Sequence, residues 1–167
     1  MINPGTAVFS GVLTGAFLVL SLPKPDLYPL AWIALVPLLV VIGKTTSVAR
    51  TVFSSYISGV IFFSGTCYWI TETMAIYGGL STPSALGVGA LFALIFAFYF
   101  VLFGLGVHLA VHKFGALGLL LAPPLWVTME WLRSVLFSGF PWMLSGYALV
   151  PFSGILQMAV WTGVYGD

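Results

Sequence analysis

Residues 92–103 read Phe92-Ala93-Leu94-Ile95-Phe96-Ala97-Phe98-Tyr99-Phe100-Val101-Leu102-Phe103, with no charge and a single phenol as the only polar side chain. A strand of a membrane barrel alternates polar and apolar positions over about ten residues. This stretch is apolar on every side. A helix closes each of its own backbone hydrogen bonds, which is what hydrocarbon demands of a segment that it surrounds. Residues 92–103 therefore predict a lipid-embedded helix.

Composition extends that reading to the whole chain. Of 167 residues, 60% are hydrophobic and only 5% are charged, against about 25% charged in a soluble domain. There is too little polar surface to cover the chain in water. The charges stand at Lys24, Asp26, Lys44, Arg50, Glu72, Lys113, Glu130, Arg133 and Asp167, and the runs between them read as spans or joints. No cluster of Lys and Arg is present to neutralise phosphates, so nucleic acid is not an expected partner. A lone cysteine, Cys67, permits neither an internal disulfide nor a Cys-rich metal site.

Working outward in both directions, the sequence predicts an all-α polytopic transmembrane bundle of about five spans plus the start of a sixth. The first helix covers residues 7–22. The first Lys or Arg follows this run instead of preceding it, which argues against a cleaved signal peptide. Two prolines and two charges in Pro23-Lys24-Pro25-Asp26 make a tight joint, and a second helix is predicted over residues 27–43. A third covers residues 51–70. Residues 72–83 read as a loop because Gly78, Gly79 and Pro83 punctuate it. Ser84 is then the expected cap of a long fourth helix ending near Val111. Gly115 and Gly118 loosen the next turn, and Pro123-Pro124 predict a late start or a kink in a fifth helix that ends near Leu136. Residues 137–151 read as an aromatic interfacial loop. Residues 153–165 open another apolar run.

Cytoplasmic loops carry the excess of Lys and Arg, and Lys44, Arg50 and Lys113 fall in alternate joints. The amino terminus is thus predicted inside, with the 72–83 and 137–151 segments together on the outer face.

Glu130 and Arg133 lie a turn apart on the fifth helix, with Trp126 on the same face. Charges in a membrane helix are costly enough to be functional candidates; the plain alternative is an i to i+3 ion pair that neutralises itself. Glu72 reads either as a solvated loop residue or as a site residue. His108 and His112 have the i, i+4 spacing of two metal ligands, but no third ligand is near in sequence and no metal is expected. Gly11 and Gly15, and more weakly Ser55 and Gly59, have the small-xxx-small spacing of closely packed helices. No glycine-rich phosphate loop, metal-ligand set or Ser-His-Asp arrangement is present, so no cofactor is expected.

Several pieces in order along the chain resemble the amino-terminal membrane domain of apolipoprotein N-acyltransferases. They are Leu22-Pro23-Lys24-Pro25-Asp26-Leu27-Tyr28-Pro29-Leu30-Ala31-Trp32, Gly65-Thr66-Cys67-Tyr68-Trp69-Ile70, Tyr77-Gly78-Gly79, Glu130-Trp131-Leu132-Arg133-Ser134, Ser138-Gly139-Phe140-Pro141-Trp142, Gly146-Tyr147 and Thr162-Gly163-Val164-Tyr165-Gly166. The resemblance implies a bacterial inner-membrane protein. Its partners are a phospholipid acyl donor and an apolipoprotein acceptor, and an acyl chain passes from the first to the amino-terminal lipidated cysteine of the second. It also implies a Glu-Lys-Cys triad in a nitrilase-like periplasmic domain that follows the helices. Residues 1–167 are accordingly expected to be a membrane-domain fragment, inactive alone and holding no catalytic residue; Cys67, in a membrane helix, is not the triad cysteine. Trp69, Glu72, Tyr77, Glu130, Arg133, Phe140, Trp142 and Tyr147 are the candidates for substrate contact or for support of that domain. The alternatives are a small transporter or channel subunit, whose polar path Glu72, Glu130 and Arg133 would line, and a truncated product without activity.

Overall fold

A computed structural model describes residues 2–136, 139–152, 154, 157 and 159–165. Expectations placed on Phe137, Ser138, Ser153, Gly166 and Asp167 lie outside the described residues.

The protein is an all-α bundle, as its sequence predicts, with no strand among the described residues. Helix α1 (Pro4–Ser21) starts a turn earlier than predicted, because the Asn3 side chain accepts from Thr6 N at 2.7 Å and Pro4 occupies the first helical position. The predicted second helix is broken. It consists of a 3₁₀ turn, Tyr28–Trp32, and a short helix α2, Val36–Lys44. Pro29 and Pro37 each lack an N–H, so each is tolerated only in a first turn, and here each begins its own element.

Helix α3 (Val48–Thr66) ends at Cys67, and a separate α4 (Trp69–Ile76) follows. The Thr66 hydroxyl donates back to Phe62 O at 2.7 Å, a contact that bends helices. Glu72 therefore stands on a helix, not in the predicted loop. Helix α5 (Thr82–Phe96) has Pro83 in its first turn and Ser81 as its cap residue, three residues before the predicted cap at Ser84. It is interrupted at Ala97 before α6 (Phe98–Phe114). After Gly115, at φ +63°, a 3₁₀ turn Gly115–Leu121 leads into α7 (Ala122–Val135). The prolines thus give the late start that the sequence predicts. Residues 139–144 are irregular, Ser145–Leu149 is a 3₁₀ turn, and a last helical turn covers Ala159–Thr162.

Helix α3 is the centre of the bundle. A Cβ on Gly11 would lie 2.6 Å from Ser54 O, and one on Gly15 would lie 2.8 Å from Ser58 O, so α1 meets α3 backbone to backbone. On another side a Cβ on Gly59 would lie 2.7 Å from the Cα of Ala97, which places the α5–α6 interruption against a glycine. Thr51, Ser54, Ser55 and Ser58 are all fully buried along α3. Ser58 Oγ donates to Gly11 O at 3.1 Å and Thr51 Oγ1 lies 3.2 Å from His108 Nδ1. Thr51 against His108 and Gly59 against Ala97 make α3 and α6 antiparallel. Lys44, Arg50 and Lys113 consequently share one end of the bundle, with Lys24 and Tyr68 at the other.

Among the described residues, two helical stretches are apolar enough by length and composition to cross a membrane: Pro4–Ser21 and the joined run Thr82–Val135.

Candidate functional site

The chemistry at the Lys24 end starts from two buried charges. Glu130 is 6% exposed and Arg133 is 4% exposed, both on α7. A buried charge persists only when hydrogen bonds replace its water. The two do not supply them for each other, and the i to i+3 ion pair is not formed. Glu130 accepts from Ser145 N at 2.8 Å on one carboxylate oxygen and from Ser145 Oγ at 3.1 Å on the other. Arg133 donates from Nη1 to Trp142 O at 2.6 Å and from Nη2 to Met143 O at 3.2 Å.

The reason lies in a strap made of the irregular backbone of residues 139–144 and Ser145, whose N–H opens the following 3₁₀ turn; its donors and acceptors have no ladder to join and must find partners elsewhere. A carboxylate suits a spare N–H, and a forked guanidinium suits two successive carbonyls. Each charge is satisfied by the strap, and the strap by the charges. Trp126 Nε1 adds a bond to Ser145 Oγ at 3.1 Å. Met143, between the clamped carbonyls, has φ +56°, a left-handed backbone that a non-glycine residue adopts only against a cost. Arg133 is itself packed beneath aromatic rings, 5.4 Å from the Phe63 centroid and 6.0 Å from that of Phe140.

So clamped, the strap forms one wall of a cleft of about 310 Å³. The opposite walls are the end of α1 with its Pro23-Lys24-Pro25 joint and the junction of α3 with α4. Trp69, Trp142, Met143 and Tyr147 give the cleft an aromatic lining, with the Trp69 and Trp142 rings 6.3 Å apart. Lys24 is its cation. The ammonium donates to the Tyr68 hydroxyl and sits 4.4 Å over the Tyr68 ring, and this hydrogen bond holds the Lys24 pKa above its ordinary value.

Of the residues singled out from sequence, Trp69, Trp142 and Tyr147 meet in this cleft. Phe140 packs against Phe92 and Phe96 at 4.9 and 5.1 Å, and Glu130 and Arg133 anchor the wall from behind. Glu72 and Tyr77 do not join them: Glu72 is exposed on α4, and Tyr77, 84% exposed, closes that helix. Glu72, Glu130 and Arg133 thus line no common path. Sequence reasoning missed Lys24, Tyr68, Met143 and Ser145 as site residues. Lys24 and Tyr68 carried a signal, a cation and a phenol at two predicted helix ends on one face. Met143 and Ser145 carried none. His108 and His112, with rings 4.8 Å apart, lie near the opposite end.

An apolar helical bundle whose one end carries an aromatic cleft walled by a charge-clamped strap defines a class of lipid-adapted helical domains. Residues 14–166 match the family described as the apolipoprotein N-acyltransferase N-terminal domain, and the chain belongs to that family. It is similar to the apolipoprotein N-acyltransferase of Geobacter metallireducens, 38% identical over 159 residues that cover 93% of this chain and 29% of the relative. The protein of the same name from Methylococcus capsulatus is 34% identical over 155 residues, covering 92% of this chain and 31% of the relative. That of Coxiella burnetii is 30% identical over 159 residues, covering 93% and 32%. The chain thus spans under a third of the length of these relatives.

Proposed function

We propose that this chain is the membrane part of an apolipoprotein N-acyltransferase in a bacterial inner membrane, with its amino terminus cytoplasmic and its cleft on the outer face. In the whole protein an acyl chain passes from a phospholipid to the free α-amino group of an apolipoprotein's lipidated cysteine. The acyl group is held between the two steps as a thioester on a triad cysteine. The cleft is the observation that supports this reading. Its apolar volume suits hydrocarbon, its Trp and Tyr side chains suit headgroup depth, and Lys24 at the Pro-Lys-Pro joint suits a lipid phosphate. Cys67 has no part in the chemistry: it is 3% exposed, belongs to the buried core cluster, and its thiol faces Thr66 Oγ1 at 3.6 Å.

The orientation rests on Lys44, Arg50 and Lys113 sharing one end of the bundle, the bias that marks a cytoplasmic face.

A chimera tests the proposal, with residues 14–166 of this chain in place of the matching segment of the Geobacter metallireducens relative. Transfer of a labelled acyl group from phospholipid to the amine of a diacylated lipopeptide is expected in membranes. A chimera that inserts to the level of the unaltered relative yet transfers nothing would overturn it.

A further inference from the structure

We infer that Arg133 is a positioning residue whose work is to hold Met143 in its left-handed backbone conformation and so to present Trp142 to the cleft. The inference rests on the lipid-binding reading of that cleft, but its geometry stands independently. Arg133 reaches no lining atom from the open side; both of its hydrogen bonds end on main-chain carbonyls, Trp142 O at 2.6 Å and Met143 O at 3.2 Å. Those carbonyls flank the φ, ψ pair of Met143, with φ at +56°. Fixing two successive carbonyl directions fixes the φ and ψ of the residue between them, and a planar fork does this where a point charge cannot.

The conformation that the fork holds is one in which a Cβ crowds the neighbouring peptide, a cost that glycine escapes. Without the fork, Met143 is expected to relax to negative φ. Reversing φ at one residue redirects the chain on either side of it, and Trp142 is the adjacent residue. Its ring, half exposed and 5.5 Å from Phe140 and 6.3 Å from Trp69, would leave the cleft wall. Glu130 would still hold Ser145, so the effect is expected in the strap and not in the bundle.

The test uses the full chain, labelled with 5-fluorotryptophan, in detergent micelles, with the Trp142 line assigned by Trp142→Phe. Arg133→Gln is expected to displace and broaden the Trp142 fluorine line while leaving the Trp131 line, on the same helix, in place. Glycine adopts positive φ freely. Met143→Gly added to Arg133→Gln is therefore expected to restore the sharp line, whereas Met143→Ala, which also removes the long side chain but keeps a Cβ, is not. A purely structural role for Arg133 would not separate glycine from alanine. Should Arg133→Gln fail to fold, Arg133→Lys retains the charge without the fork and is expected to shift the same line.

An unmoved Trp142 line in whichever variant folds, or equal behaviour of the glycine and alanine double variants, would overturn the inference. The cleft reading is tested separately on the wild-type chain. A phospholipid spin-labelled near the head of its acyl chain is expected to broaden the Trp142 line more than that of Trp161, which is 90% exposed. Equal broadening would sink the lipid reading without touching the role of Arg133.

Discussion

Glu130 and Arg133 were conspicuous in the sequence as charges in an apolar helix, but their partners were not. The nearest opposite charge along the helix is three residues away, so self-neutralisation was one of the two readings the sequence left open, beside a functional role. The structure gives each a partner 9–15 residues further on, in a stretch whose unpaired main-chain groups no composition or periodicity reveals. That difference changes what substitutions are expected to do. Removing one partner from a charged hydrogen bond costs about 1.5–3 kcal/mol, and more when a buried group is left unsatisfied. Glu130→Ala should therefore lower the detergent melting temperature more than Glu130→Gln, whose amide oxygen can still accept from Ser145. A self-neutralising pair would recover when both charges are removed. Here the double variant Glu130→Gln with Arg133→Gln should melt no higher than the worse single variant, because the two losses fall on different bonds of the strap. A double variant nearer to wild type than either single would restore the ion-pair reading.

At the scale of the helices, small residues proved informative and long apolar runs less so. Gly11 and Gly15 were readable as a contact surface, and they are one. The interruptions at Cys67 and Ala97 were not readable, because one depends on a threonine hydroxyl turning back on its own helix and the other lies opposite a glycine of a different helix. Pro37 was visible yet absorbed into a predicted span, although a proline two positions into a helix marks a beginning. Three glycine-to-alanine changes measure the packing. A Cβ at Gly15 would lie 2.7 Å from Ile61 Cβ, and one at Gly59 would meet the Ala97 backbone at 2.7 Å, whereas at Gly87 it would meet nothing within 4 Å. Overpacking a tight contact costs about 1–3 kcal/mol, so Gly15→Ala and Gly59→Ala should both lower the melting temperature. Gly87→Ala should leave it unchanged or raise it, since alanine in a helix interior is favoured over glycine by roughly 0.5–1 kcal/mol. Three equal melting temperatures would mean that the helices do not approach as described.

For the molecule as a whole, the class and the order of helices were legible because both follow from hydropathy and from where charges interrupt it. The cleft was only half legible. Its aromatic residues stood out, but the walls come from three parts of the chain, and no single-sequence pattern tells which helix ends face one another. Which end faces which compartment is open to direct measurement. In a Cys67→Ser background, Thr46→Cys and Tyr77→Cys each place a thiol on an exposed position, at opposite ends of the bundle. An impermeant thiol reagent added to intact cells with a permeabilised outer membrane should label Tyr77→Cys and spare Thr46→Cys until the inner membrane is opened. The reverse pattern would turn the molecule over and put the cleft in the cytoplasm.

Of the described helices with 15 residues or more, the least apolar lies at the middle. Although α3 has 19 residues, it is not among the stretches apolar enough to cross a membrane, and four of its hydroxyl-bearing residues are fully enclosed by neighbours. During synthesis such a segment reaches the insertion machinery after α1 and α2 but before α6. It then has one flank to lay against glycines and another that stays uncovered until some forty further residues have been made. Efficient insertion is therefore expected to need α1 close by when α3 arrives, so that the α3 serines meet a partner helix without a stay in bare lipid. A bulky residue at Gly11 would then act first as an assembly defect, reducing the amount of protein that reaches the bilayer before any property of the finished fold is tested.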